Sequence, residues 1–183
     1  MFRRKMTLKK YFLAIVIPEP AFSEIEALKT ALMEKHGLKG ALRSPAHITL
    51  HRPFEWKEEK EEVLINTLTK FNKPEAFTIE LKDYDFFEPR VVFINVTSNP
   101  AISELHFELS RFAKEHLRLF NEAEDLRGFH PHVTVAFRDL KKPKFYELQR
   151  EFSEKKFEHR FKYSGFSLLK LEKTWNIRHT FNL

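Results

Sequence analysis

The chain contains no cysteine, which removes disulfides, thiolate nucleophiles and cysteine-based zinc sites from its chemistry and is compatible with a reducing compartment. Glycine is scarce, with four in 183 residues against nine prolines, so a flexible or low-complexity chain is excluded. The apolar stretch 11–17 falls well short of the roughly 20 residues a membrane-crossing helix needs, and it reads as a strand. The first six residues, Met1-Phe2-Arg3-Arg4-Lys5-Met6, are basic but lead into no long apolar region with a small-residue cleavage site. A soluble, cytoplasmic protein without a membrane partner is therefore expected. What is abundant is apolar and basic. An apolar fraction of 42% suffices for one compact domain over residues 1–183, and a formal charge of +6 suits an anionic ligand, although excess lysine also serves solubility.

Two short segments say nearly the same thing: Pro45-Ala46-His47-Ile48-Thr49-Leu50 and Pro131-His132-Val133-Thr134-Val135. Each sets a histidine and a threonine two apart in a β-favouring run, so imidazole and hydroxyl emerge on one face of a strand. One copy carries little information, whereas two, each behind a proline, point to a duplicated unit whose copies face each other across a cleft. Opposed imidazoles can serve one phosphate as general base and general acid, because their ordinary pKa near 6.5 makes both protonation states accessible. The hydroxyls would hold the non-bridging oxygens.

The rest of the chain supplies a frame for such a cleft. After the strand 11–17, Phe22, Ile25, Leu28, Leu32 and Met33 recur at helical spacing up to Gly37, a residue suited to follow a helix end. The first motif strand spans 46–51, a second helix 58–71, and strands are expected over 77–81 and 90–97. Ser98-Asn99-Pro100 opens a long helix, a loop covers 121–128, and the second motif strand runs over 132–137. A short helix over 144–152 and strands over 157–163, 166–172 and 174–181 follow. Strand, helix, motif strand, helix, strand thus occurs twice. The expected fold class is α+β: two pseudo-symmetric lobes, mostly antiparallel sheets flanked by helices, forming a central cleft with the duplicated motifs. The 20 phenylalanines are assigned mainly to the core, with Phe54, Trp56 and Phe137 placed either to stack a base or to pack against the second helix.

With the motif pair in place, the chain resembles the 2H phosphoesterase superfamily, the group of RNA 2',3'-cyclic phosphodiesterases and 2'-5' RNA ligases defined by two His-x-Thr/Ser-x motifs. The likeness extends to Tyr11-Phe12-Leu13-Ala14-Ile15, to Phe86-Phe87-Glu88-Pro89-Arg90-Val91-Val92-Phe93 between the motifs, and to the surroundings of the second motif from Phe129 to Phe137. It implies His47 and His132 as catalytic residues and Thr49 and Thr134 as phosphate-binding ones. It further implies a metal-independent phosphoesterase with no cofactor, hydrolysing a 2',3'-cyclic phosphate or related 2'-linked phosphodiester in RNA or nucleotides, with reversal to 2'-5' ligation open. RNA ends or nucleotides are the implied partners, and a monomer is expected. Better-known RNA-processing members often carry an arginine five residues after each histidine. Here those positions are Arg52 and Phe137, with Arg138 one place later.

Strand parity puts Arg138 on the face of His132 and His51 beside His47, and turns Arg52 away. His51, His130 and Arg138 are accordingly the further candidates for substrate or phosphate binding. For His51 and His130 the alternative is an exposed ring or one that orients a neighbour. Four histidines in two clusters also raise a zinc site, which the lack of cysteine or of a carboxylate at ligand spacing disfavours. Two other readings stand beside the enzyme: a non-catalytic RNA- or nucleotide-binding protein of the same fold, and a phosphodiesterase of a small cyclic metabolite.

Overall fold

A computed structural model describes residues 7–121 and 128–183. The basic first six residues and most of the loop expected over 121–128 lie outside the described residues. Strand β1, Leu8–Val16, is apolar on both faces because both are covered. Tyr11, Leu13 and Ile15 join the main core, while Phe12 and Ala14 pack with Leu169 on the other side. Helix α1, Ala21–His36, stops at Gly37, which adopts φ 72° and returns its N–H to the Met33 carbonyl at 2.8 Å. The first motif strand, β2, is His47–Lys57, and α2, Glu61–Leu68, follows it after a short 3-10 turn. Strands β3, Thr78–Phe87, and β4, Val91–Val96, form a hairpin. Helix α3, Pro100–Leu117, begins with proline and is capped by the Asn99 side chain, which accepts from the Ala101 N–H at 2.9 Å.

The second motif strand, β5, is His132–Ala136, then come α4, Lys142–Ser153, and strands β6, Glu158–Lys162, β7, Gly165–Leu171, and β8, Trp175–Asn182. The strands make two four-stranded sheets, ordered β2-β1-β7-β8 and β5-β4-β3-β6, with every pairing antiparallel. The expected α+β class with mostly antiparallel sheets is what forms. In both halves a strand, a helix and a motif strand follow one another, β1-α1-β2 and β4-α3-β5, and each motif strand lies on a sheet edge beside its partner. The two motifs are thereby presented by equivalent edges.

Three departures from the sequence reading have physical causes. β2 runs past Pro53 because it is an edge strand, where a missing N–H costs no ladder bond, and it pairs with β1 as far as Leu8 opposite Lys57. β3 reaches Phe87 through an irregularity between Leu81 and Tyr84, where Asp83 takes φ 57°. Finally, the sequence repeat is not the spatial division: β3, which follows α2, belongs to the second sheet, and β7 and β8 return to the first.

One continuous hydrophobic cluster draws residues from both sheets and all four α-helices. The halves are also clasped at the surface. The Asp139 carboxylate, just beyond β5, accepts from the backbone N–H groups of Lys39 and Gly40 at 2.6 and 3.0 Å, on the 3-10 turn Gly40–Arg43 that precedes β2.

Candidate active site

Between the edges carrying β2 and β5 lies a cavity of about 280 Å³ whose wall includes His47, Thr49, His132 and Thr134. The alternation of each strand accounts for this. Ile48 and Leu50 on β2, and Val133 and Val135 on β5, are buried in the core, which leaves the intervening motif residues half-buried on the opposite face. Phe12 and Trp175 form an aromatic side of the same cavity, their rings edge to face at 4.7 Å, and Arg43 and Arg138 add cationic groups.

The two histidines are held in the same way. His47 Nδ1 lies 2.6 Å from the Pro45 carbonyl, and His132 Nδ1 lies 2.6 Å from the His130 carbonyl. A carbonyl only accepts, so Nδ1 carries the hydrogen in each ring and proton chemistry falls to Nε2. Each ring also leans on an aromatic residue of the neighbouring strand: His47 on Phe12 at 4.9 Å, and His132 on Phe93 at 5.0 Å, with Phe87 packed beside Phe93 and also 5.0 Å from the His132 ring. Among the described residues neither motif threonine hydroxyl is committed to a protein hydrogen bond, so both remain available to an anion.

Burial pushes the His47 pKa down to about 4; the adjacent Pro45 carbonyl opposes this, and the positive charges of Lys29 and His132 reinforce it. His47 is neutral at physiological pH. His106 is likewise pushed down to about 4, by burial and then by His51, and burial also lowers His51. These rings bind protons near 6.5 in the unfolded chain. Between about pH 6.5 and pH 4 the unfolded state therefore holds more protons, and stability declines as pH falls through that window. Urea midpoints measured from pH 7.5 to 4.5 should decrease steadily. A flat profile would show that these rings do not stay neutral in the folded protein.

A second cavity of about 540 Å³ adjoins the first, with Thr49, His132 and Phe137 in the wall of both. It is lined further by Arg52, His106, Asn121, Phe129 and His130. Here the structure corrects strand parity. Thr49 pairs with Ala14 but His51 pairs with Leu13, so two steps on β2 oppose one on β1 and the residue after the bulge changes face. His51 is 1% exposed, packs edge-on against Phe54 at 5.3 Å and lines neither cavity. Arg52, expected to point away, lines the second cavity instead. Asn121 stabilises the bulge: its Oδ1 accepts from the Arg52 N–H at 2.9 Å and its Nδ2 donates to the Leu50 carbonyl at 2.9 Å.

Arg138 does line the first cavity, by a route other than strand parity: β5 ends at Ala136, and Arg138 sits beyond it at φ 70° with its guanidinium over the Phe137 ring. His130 lines the second cavity and not the first, and its carbonyl orients His132. Of the three aromatics that follow the motifs, Phe54 and Trp56 pack against the core, while Phe137, 39% exposed, reaches both cavities.

Trp175 and Lys29 were not singled out by sequence reasoning. Trp175 offered no signal, because its proximity to Phe12 depends on the return of β7 and β8. Lys29 did offer one: it occupies a core position of α1 between Ile25 and Leu32, and it is buried. No three His, Asp or Glu side chains converge as a metal-binding group, and no helix is long and apolar enough to cross a membrane, among the described residues.

Comparison with known proteins identifies the family and the fold. The family model of the 2'-5' RNA ligase superfamily matches residues 17–175. A Bacillus cytotoxicus protein named "Putative phosphoesterase" is 31% identical over 144 residues, covering 76% of this chain and 79% of the relative. Among solved structures, Escherichia coli LigT complexed with 3'-AMP superposes with a TM-score of 0.65 at 21% identity, covering 97% of this chain and 99% of LigT. TT0787 of Thermus thermophilus gives 0.61 at 21% identity, covering 95% of this chain and 97% of that one. These likenesses establish a shared fold.

Proposed function

The chain belongs to the 2'-5' RNA ligase superfamily, and from that premise we propose that it is a metal-independent phosphodiesterase opening a 2',3'-cyclic phosphate, or a related 2'-linked phosphodiester, of RNA or a nucleotide. The observation that carries this reading is the cavity in which two histidines, each with Nδ1 tied to a backbone carbonyl, meet two threonines from equivalent strands. His47, held neutral, takes a proton from water at Nε2 as the water oxygen bonds to phosphorus. His132, protonated, gives its Nε2 proton to the ribose oxygen as the P–O bond breaks. The ring opens to a monoester, and the two histidines exchange protonation states before the next cycle. Thr49 and Thr134 donate to the non-bridging oxygens as charge builds there.

The surroundings suit a nucleotide. Phe12 and Trp175 offer aromatic surface to a base or sugar, Arg43 and Arg138 favour an anion, and the related fold of LigT was crystallised with 3'-AMP. The second cavity supports the alternative of a 2'-linked phosphodiester carrying a further nucleoside, since the shared wall of Thr49 and His132 is where the phosphate would lie. A purely binding protein has no evident use for two opposed imidazoles, and a small cyclic metabolite would leave the second cavity unused.

Assays with mononucleoside 2',3'-cyclic phosphates, cyclic-phosphate-ended RNA and 2'-5'-linked dinucleotides, with chelator present, test the reading. Turnover of none of them would overturn it. Thr49→Val and Thr134→Val keep shape and β-preference while deleting the hydroxyl. Each should lower kcat/KM by about tenfold to a thousandfold with the melting temperature preserved. Unchanged turnover in both would reduce the threonines to strand formers.

A further inference from the structure

We propose that buried Lys29 of α1, with its half-buried partner Glu26, is a positioning device for His47, gripping the backbone of residues 44–46 so that the Pro45 carbonyl stays on Nδ1 and the other ring nitrogen is left to react. Lys29 Nζ, on a side chain only 1% exposed, donates to the Glu26 carboxylate at 2.8 Å and to the Ser44 carbonyl at 3.0 Å. The same carboxylate oxygen, Glu26 Oε1, accepts the Ala46 N–H at 2.7 Å. One ion pair thus holds the residues on either side of Pro45, whose carbonyl meets His47 Nδ1 at 2.6 Å. Ser44 itself lines the cavity.

A purely structural role explains this arrangement poorly. Burying an ammonium group is costly, and an apolar side chain at the same helical position would pack against Ile25 and Leu32 without that cost. The device also adds charge: Lys29 from α1 and His132 from β5 both act against proton uptake by His47, Arg43 and Arg138 line the same cavity, and the Glu26 carboxylate beside Ala46 is the opposing charge that partners Lys29. Burial in turn lowers the proton affinity of Lys29, and Glu26 opposes that shift.

The inference rests on the reading of His47 as one of the reacting pair, so its test includes a measurement independent of turnover. Nitrogen-15 NMR of the imidazole rings should show native His47 with its hydrogen on Nδ1 and a titration midpoint well below 6.5. In Lys29→Met the tautomer should become mixed, while the midpoint stays well below the ordinary value because burial, the largest cause of its depression, is unchanged. kcat/KM should fall by about tenfold to a hundredfold, as small displacements of a reacting group do, while KM changes little. Should Lys29→Met fail to fold because the Glu26 carboxylate is left unpaired, the double variant Glu26→Gln/Lys29→Met removes both charges at nearly constant shape and is expected to leave the His47 tautomer mixed likewise. A native tautomer for His47 in a folded variant would overturn the proposal. A mixed His47 tautomer in a protein inactive on every phosphodiester tried would preserve the positioning role and overturn the enzymatic one.

Discussion

Alanine in place of either His47 or His132 should lower hydrolysis of a 2',3'-cyclic phosphate by about a thousandfold, within the range for losing a general acid or base, and alanine at both should cost little more. On the proposed mechanism the two rings serve a single proton-transfer cycle. Once one is gone, the other has nothing to complete, and the losses do not add. EDTA should leave the native rate unaffected. The pH profile of kcat/KM carries the assignment of roles. Because burial holds His47 neutral down to about pH 4, the acid limb should fall well below the ordinary imidazole range, while the alkaline limb reports loss of the proton from His132. Measuring both limbs in the native protein, and then the rates of the three variants, decides the matter. Strictly additive losses, or full activity with either ring absent, would end the two-histidine mechanism.

The second large effect is expected at Gly40. A Cβ built there would stand 2.0 Å from the Phe137 carbonyl oxygen and 2.9 Å from Asp139 Oδ1, distances that no side-chain rotation relieves because the first neighbour is backbone. Gly40→Ala must therefore push the 3-10 turn Gly40–Arg43 away from the segment leaving β5 and weaken the Asp139 clasp on the Lys39 and Gly40 N–H groups. Overpacking of this kind costs about 3 kcal/mol, which for a domain of this size lowers the melting temperature by about 6–12 °C. Gly40, Phe137 and Arg138 all belong to the wall of the cavity, so activity should fall as well. Calorimetry together with kcat/KM measured well below the melting temperature checks both effects. A native melting temperature would mean that the two segments have slack the structure does not show.

How much of this was legible in the sequence depends on how local each cause is. Alternation around His47 and His132 is a property of a few consecutive residues, and it places both rings and both threonines in the first cavity. The end of α1 at Gly37 and the start of α3 at Asn99-Pro100 are equally local, since a cap is written in the residues that make it. His51 and Arg52 could not be placed this way. Their faces are set by a bulge whose Leu50 carbonyl and Arg52 N–H are satisfied by Asn121, a residue distant in sequence that no period-two pattern anticipates. Sheet membership was hidden for a related reason. The apolar patterns of β3 and β7 announce strands but not partners, so the duplicated order did not reveal that the chain builds one sheet from both of its ends.

That return of the chain carries a consequence for biosynthesis. β3, β4, β5 and β6 all lie within one continuous stretch, so their sheet can close while later residues are still being added. β1 is made first, yet one of its two partners is β7, with Tyr11 opposite Lys170, so one flank of it stays unpaired until the final hairpin emerges. Phe12, which cushions His47, waits likewise for Trp175. A nascent chain stalled short of β7 would hold His132 on a finished sheet and His47 on an unfinished one. Competence should therefore arrive abruptly and late in translation, and a ribosome-bound chain lacking β7 and β8 should engage chaperones through the exposed edge of β1.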